Sequence, residues 1–266
     1  MIKSFLKWAG GKYKILDFII ENIGKVEYRF VEPFAGSAVV SLNINAEEYL
    51  IADSNMDLIN LFEKLKEYKK DFIKYCKVIF DNANTKEIYY YNRDIFNSLK
   101  FNTQRAALFL YLNRHCFNGL CRYNNKGKFN VPYGRYKNVY FPENEMLEFL
   151  SKSDRFIFKC QDFRKTFSEC VNTDVVYCDP PYIPLNMIGF TDYTKDSFSM
   201  KDQMELARLA EKSECAVFIS NHWIPGITDR LYRNGDTSSR LLVRRYISAH
   251  DKIRPQVEEV LVKYIK

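Results

Sequence analysis

Four consecutive residues, Asp179-Pro180-Pro181-Tyr182, follow the apolar run Val175-Val-Tyr-Cys178. The run reads as a buried strand, and in an open α/β sheet ligands collect beyond the carboxyl ends of strands. Paired prolines fix the backbone and remove two N–H donors, so the Asp179 carboxylate and the Pro180 carbonyl form a small acceptor-only cluster. Such a cluster suits an amino group. An aromatic amine is a poor nucleophile because its lone pair is delocalised; two acceptors gripping its hydrogens favour a more tetrahedral nitrogen that can attack a methyl sulfonium in line. Tyr182 can stack on the base that carries the amine. The plain alternative is an ordinary strand-ending proline turn.

A second signature lies upstream. Tyr28 to Val31 is β-prone, Glu32-Pro-Phe-Ala-Gly-Ser-Ala38 reads as a tight turn, and Val39 to Leu42 as the start of a helix. The next strand, Tyr49-Leu-Ile-Ala52, ends in Asp53. An acidic residue about 20 positions beyond the glycine turn is the nucleotide-binding pattern of such sheets, the carboxylate accepting from two ribose hydroxyls. Gly10-Gly11-Lys12 could suggest a phosphate loop, but the upstream glycine and following Ser/Thr of that motif are missing.

The elements that must position these residues follow from periodicity. Leu58, Leu61, Phe62, Leu65, Tyr68, Phe72, Cys76 and Ile79 recur at helical spacing, and Thr103 can cap a further helix through about His115. Leu120-Cys-Arg-Tyr123, the turn Asn124-Asn-Lys-Gly127 and Lys128-Phe-Asn-Val131 predict a β-hairpin, a shape able to enter a DNA groove. Strands are expected at Arg155 to Phe158, Ala216 to Ser220, Leu241 to Ser248 and Glu259 to Tyr264, the last two as an antiparallel closing pair. A helix begins near Ser199, with Asp202 placed for a capping box, and runs to about Lys212. The loop from Pro184 to Ser197 has few apolar anchors and is expected to be mobile without a bound partner. The organisation is one α/β sheet, built from residues 1–55 and 145–266, interrupted by a basic helical insert at 56–144.

Lys and Arg number 40 against 33 Asp and Glu in 266 residues, a net charge of +7. Phe101 to Pro142 alone holds seven basic residues and no acidic one, an excess equal to the whole net charge. Phe117, Tyr123, Phe129, Tyr133 and Tyr136 stand among those cations. A solvated positive face would explain the charge alone; phosphates plus stackable bases explain charge and aromatics together. The seven cysteines form no C-x-x-C pair and the three histidines show no zinc spacing, so reduced packing cysteines and no metal are expected. No apolar stretch is long enough to span a bilayer and no secretory signal opens the chain, which predicts a cytoplasmic protein.

These residues together resemble the Dam group of DNA adenine methyltransferases. The resemblance runs in order through Phe5-Leu-Lys-Trp-Ala-Gly-Gly-Lys12, Val31-Glu-Pro-Phe-Ala-Gly36, Asp53, Leu112-Asn-Arg114, Phe117-Asn-Gly-Leu-Cys-Arg-Tyr-Asn124, Phe129-Asn-Val-Pro-Tyr-Gly-Arg-Tyr136, Asp179-Pro-Pro-Tyr182 and Ser220-Asn-His222. It implies a Rossmann-like methyltransferase fold with a mostly parallel seven-stranded sheet, an inserted helical target-recognition domain with a β-hairpin, and S-adenosylmethionine as donor. It further implies a monomer that methylates adenine N6 in double-stranded DNA at 5′-GATC-3′ by base flipping.

Carried over position by position, the resemblance gives Trp8, Ala9, Gly10, Lys12, Phe34, Gly36, Asp53, Asp162 and Asp179 to the cofactor, and Asp179, Pro180 and Tyr182 to catalysis. Base reading falls to Lys7, Leu120, Arg122, Pro132 and Tyr136, with Arg122 the foremost specificity residue. Phe117 and Asn118 act at the flipped site, Arg93 and Arg135 on phosphates, and Arg114 and Asn124 belong to the same DNA-binding set. Departures are Ala38 where many members carry a second glycine, Phe117 for a common tyrosine, and Ser248 to Arg254 without a glycine-rich loop. Two other readings stay open: an N4-cytosine methyltransferase, which uses the same amine chemistry, and a non-catalytic DNA-binding regulator. A C5-cytosine enzyme needs a Pro-Cys pair, which the chain lacks.

Overall fold

A computed structural model describes residues 1–81, 83–185, 198–244 and 256–265. In chain order the elements are α1 (Leu16–Ile23), β1 (Arg29–Glu32), α2 (Val39–Asn43), β2 (Glu48–Asp53), α3 (Met56–Phe80), α4 (Lys86–Ser98), α5 (Thr103–His115), α6 (Glu143–Ser153), β3 (Phe156–Cys160), α7 (Phe163–Ser168), β4 (Val175–Cys178), α8 (Met200–Lys212), β5 (Ala216–His222), α9 (Thr228–Leu231), β6 (Asp236–Arg244) and β7 (Gln256–Tyr264). The seven strands make one sheet in the order β3-β2-β1-β4-β5-β7-β6. β1 pairs in parallel with β2 and β4, and β4 with β5, whereas β7 runs antiparallel to β5 and β6. β4 is apolar throughout, and β2 and β5 carry unbroken apolar runs, at 49–52 and 216–219, as strands buried on both faces do.

Contacts divide the chain into two compact units, one of residues 1–14, 36–43 and 55–160, the other of 15–35, 44–54 and 161–266. In the second, Val31, Leu50, Val176, Cys178, Val217, Ile219, Val260 and Val262 of the sheet bury against Phe163 and Phe167 of α7 and Leu206, Ala207 and Ala210 of α8. In the first, Phe5 packs edge-on against Phe62 and Phe149, whose rings stack 5.3 Å apart. Every α5 side chain from Arg105 to His115 is buried, so that helix lacks the polar stripe of a surface helix.

Caps set where the helices start. Asn55 accepts from Asp57 N and Leu58 N, Thr85 from Ile88 N, and Ser199 and Asp202 close the expected capping box on α8. At α5 the cap is Asn102 and not Thr103: extended backbone at φ −160° aims the Asn102 side chain at Arg105 N, and Thr103 becomes the first helical residue. The expected hairpin is reduced to a single bridge, Tyr123 with Phe129, flanked by Asn124 N to Lys128 O and Asn130 N to Arg122 O. Side chains of the helices take over the pairing there, for Asn97 binds both N and O of Phe129. β6 begins at Asp236, earlier than Leu241, and the 245–248 part of that expected strand lies outside the described residues, as does most of the Pro184 to Ser197 loop.

Candidate active site and nucleic-acid interface

At the tip of β4, Asp179 is half-buried and Pro180 buried. The turn is fixed from β5 and α8. Gln203 Nε2 donates to the Pro181 carbonyl at 2.7 Å, Ile183 N donates to Asn221 Oδ1 at 3.2 Å, and Asn221 Nδ2 donates to Gln203 Oε1 and Tyr232 Oη at 3.1 and 2.9 Å. His222 Nδ1 donates to the Ile183 carbonyl at 2.6 Å. The Tyr182 ring meets His222 edge-on, centroids 4.7 Å apart, and its hydroxyl donates to Glu259 Oε2 at 3.1 Å. Backbone and ring orientation of the tetrapeptide are thus both specified by buried hydrogen bonds, which hold geometry well where water is excluded.

The strand ends carry negative charge. Burial pushes the Tyr177 and Tyr182 phenols well above their ordinary range, and the Asp179 and Glu259 carboxylates push both further; buried Glu32 at the end of β1 adds to the effect on Tyr177. Beside them, Phe34 stacks on Phe163 with centroids 5.3 Å apart, and Phe198 meets Phe34 edge-on at 5.5 Å. Asp53 ends β2, where its carbonyl accepts from Gln161 N at 3.1 Å, while Ala35 N donates to the Ala52 carbonyl at 2.9 Å. Asp162 is exposed and caps α7: its Oδ1 accepts from Arg164 N at 2.8 Å, and the Arg164 guanidinium bridges it to Asp202.

The N-terminal motif lies in the other unit. A Cβ on Gly36 would stand 2.6 Å from Trp8 Nε1, so only glycine lets the indole lie on this turn. Lys12 is buried, with Nζ donating to the Gly10 carbonyl at 2.7 Å, and Ala9 and Gly10 are exposed. Ala38, buried, takes a left-handed φ of 54°, the conformation a glycine at this position would adopt without strain.

The same unit assembles the basic insert around Lys7. Lys7 N donates to Asn113 Oδ1 at 2.9 Å, Asn113 Nδ2 returns a bond to Lys7 O at 2.7 Å, and Lys7 Nζ donates to the Arg114 carbonyl while lying 3.8 Å from the Tyr136 ring centroid. Burial, then the Arg114 guanidinium, lower the Lys7 pKa from its ordinary value. Tyr136 Oη accepts from Asn118 N at 2.9 Å. Asn118, at φ 54°, follows the exposed Phe117, whose N–H donates to the Pro132 carbonyl. Arg122 is exposed and donates through Nε to Asn130 Oδ1 at 2.8 Å; Leu120 is half-buried and Arg135 exposed. Asn124 Oδ1 accepts from Lys126 N and Lys128 N, an Asx turn that closes the loop.

The profile of the D12 class N6 adenine-specific DNA methyltransferases matches residues 8–242. The chain belongs to that class. It is an adenine-specific DNA methyltransferase, and DNA is what it acts on. Among its relatives, a Haemophilus influenzae protein named DNA adenine methylase is 43% identical over 266 residues, covering 97% of this chain and 92% of that protein. The Escherichia coli K12 protein of the same name is 41% identical, covering 98% and 95%. Among the described residues of this methyltransferase no helix is long and apolar enough to cross a membrane.

Not every sequence-assigned residue of the methyltransferase faces outward. Lys7, Asn118 and Tyr136 are brought together, and Asp179 and Tyr182 share the β4 tip. Arg114, by contrast, is buried, its Nε donating to the Tyr140 carbonyl at 3.2 Å, because α5 is wrapped on all sides. Arg93 is half-buried, stacks over Tyr90 at 4.6 Å and donates to the Val131 carbonyl. Sequence reasoning gave no role to Gln203, Asn221 or Glu259. Asn221 stood inside the noted Ser220-Asn-His222 motif, whereas Gln203 and Glu259 left no local signal.

Proposed function

We propose that this enzyme transfers a methyl group from S-adenosylmethionine to N6 of an adenine flipped out of duplex DNA, at 5′-GATC-3′, acting as a monomer. The observation that carries the reading is the β4 tip, where Asp179 and Pro180 stand at the carboxyl end of a parallel strand on a turn fixed by Gln203 and Asn221. The donor supplies an electrophilic methyl carbon on a positively charged sulfur. The residues present fit such a group: Glu32, Asp179 and Glu259 give the strand ends a negative field that favours a cation, and the half-buried Phe34, backed by the buried Phe163, offers aromatic surface for a base. Asp53, ending β2, is the residue for ribose hydroxyls. Trp8, Ala9, Gly10, Lys12, Gly36 and Asp162 join them on the strength of the resemblance.

In this reading the Asp179 carboxylate and the Pro180 carbonyl accept the two N6 hydrogens, drawing the nitrogen out of conjugation, and the Tyr182 ring stacks on the adenine. Lys7, Leu120, Arg122, Pro132 and Tyr136 read bases, Phe117 and Asn118 fill the flipped site, and Arg135 meets phosphate. Arg122 paired in bidentate fashion with guanine contributes about 1–3 kcal/mol of discrimination.

Radiolabelled methyl transfer to duplexes that contain or lack GATC, followed by digestion with nucleases sensitive to adenine methylation there, tests the reading. Asp179→Ala is expected to bind duplex normally and lose transfer by several orders of magnitude; normal turnover removes Asp179 from the mechanism. Labelled N4-methylcytosine in the product would establish the alternative chemistry.

A further inference from the structure

The parallel strands carry a second row of polar residues at their amino-terminal ends, away from the Asp179 turn. Register places Arg29 beside Glu48, and the pairings Phe30 with Val175 and Val175 with Ala216 place Arg29 beside Asp174 and Asp174 beside Cys215. Arg29 Nε and Nη2 grip the two Asp174 oxygens at 2.9 and 2.6 Å, and Arg29 Nη2 also donates to the Glu169 carbonyl. Over this row sits Cys170, just beyond α7, and the Cys170 and Cys215 sulfurs and an Asp174 oxygen all lie within 4.8 Å of one another. Cys215 Sγ donates to the Val171 carbonyl at 3.0 Å and Cys170 Sγ to the Thr166 carbonyl at 3.3 Å.

Two sulfurs this close can hold a soft metal or close on each other. The carboxylate decides against a metal. Both Asp174 oxygens already accept from Arg29, and Oδ2 also from Val171 N at 2.8 Å, so a dication would have to displace a guanidinium and then sit beside it. At Cys215 the Arg29 guanidinium favours a thiolate, while the Asp174 carboxylate acts against it more strongly. The two thiols are moreover unequal: with the Cys170 proton turned from the Thr166 carbonyl to the Cys215 sulfur, that hydrogen bond holds the Cys215 thiol down at about 7, while the same bond and burial push Cys170 up. Elsewhere burial works against reaction, pushing Cys116 up to about 12.

We infer that Cys170 and Cys215 form a reversible disulfide when the protein meets a small peroxide. Cys215 is 3% exposed, which admits hydrogen peroxide more readily than a bulky disulfide reagent. The Cys215 thiolate attacks one peroxide oxygen; an S–O bond forms, the O–O bond breaks, and hydroxide leaves to take up a proton as water. The Cys170 sulfur, giving up its proton, then attacks the Cys215 sulfenic acid; the S–S bond forms, the S–O bond breaks, and a second water leaves. Two thiols are oxidised by two electrons and one peroxide is reduced to two waters.

The full-length protein, treated with hydrogen peroxide, alkylated and mapped without reduction, tests the pair. The expected product is one dominant Cys170–Cys215 cross-linked peptide, lighter by two hydrogens and reversed by dithiothreitol. In a Cys170→Ser variant whose circular dichroism matches the wild type, Cys215 is expected to accumulate as a sulfenic acid, trapped by dimedone added together with urea so that the buried sulfur is reached. Full alkylation of both cysteines after peroxide overturns the inference, as does preferential linkage of any other pair. Stoichiometric zinc retained on the purified protein and shielding both thiols from peroxide also overturns it, in favour of a metal site.

Discussion

Gln203 of α8 donates to the Pro181 carbonyl and, through its own oxygen, accepts from Asn221 of β5. One buried amide therefore sets the turn that bears Asp179 and Tyr182, without lying next to either in sequence. Gln203→Ala leaves the Pro181 carbonyl and an Asn221 proton unsatisfied, a cost of about 1–3 kcal/mol. Misplacing the turn by a fraction of an ångström is expected to lower kcat about 10–100-fold. Steady-state kinetics on duplex DNA check this: a KM that rises while kcat is kept would give Gln203 a different role.

Gly119 lies under Lys7. Its φ is +64°, and a Cβ there would fall 2.3 Å from Lys7 Cβ, an atom that no side-chain rotation can move aside. Gly119→Ala is expected to displace Lys7 from Tyr136 and weaken duplex binding about tenfold or more, with a loss of about 1–2 kcal/mol of stability from the left-handed backbone. Fluorescence anisotropy with labelled duplex and thermal unfolding measure the two effects. Wild-type affinity in a folded variant would separate Lys7 from DNA.

The base of the insert is held by Asp57, whose carboxylate takes Arg105 Nε at 2.6 Å and Nη2 at 3.1 Å and the Tyr123 hydroxyl at 2.7 Å. Both charged side chains are nearly buried, so removing one leaves the other unpaired. Asp57→Ala is expected to cost about 3–5 kcal/mol. Urea unfolding reads it, and a change below about 1 kcal/mol would mean that the pair is largely hydrated.

His115 stacks on Tyr111 with centroids 4.0 Å apart and donates through Nδ1 to the Tyr111 carbonyl at 2.8 Å. Burial lowers its pKa from 6.5 to about 4. The unfolded chain thus binds this proton more readily than the folded one. Stability from this group is complete above pH 6.5 and is lost as pH falls towards 4, by about 3 kcal/mol in all. Unfolding free energies of the wild type and His115→Gln across that window should converge as pH falls. Parallel curves would show that the imidazole is accessible to protons in the fold.

The sequence by itself determined what local chemistry encodes. β4 occupies the very residues Val175 to Cys178 read as a strand, the Ser199–Asp202 capping box stands where spacing put it, and the sheet closes with an antiparallel pair. These succeed because apolar periodicity, caps and proline turns act over a few residues. Asp53 and Asp179 at strand ends and the basic run from Phe101 to Pro142 were legible for the same reason, since residue type and charge are read along the chain. Tertiary structure decided the rest. Gln203 and Glu259 join the Pro181–Tyr182 turn from positions 22 and 77 residues away, through bonds that no periodicity announces. Arg114, which the resemblance groups with DNA-binding residues, is buried in the enclosed α5 with its Nε on the Tyr140 carbonyl, a placement that residue type alone does not give. Cys170 and Cys215, 45 residues apart, read as separate packing residues until parallel register brought their sulfurs together. A side chain's chemistry is written in its type, but its neighbours, its solvent and hence its reactivity are set by which distant strands and helices close around it.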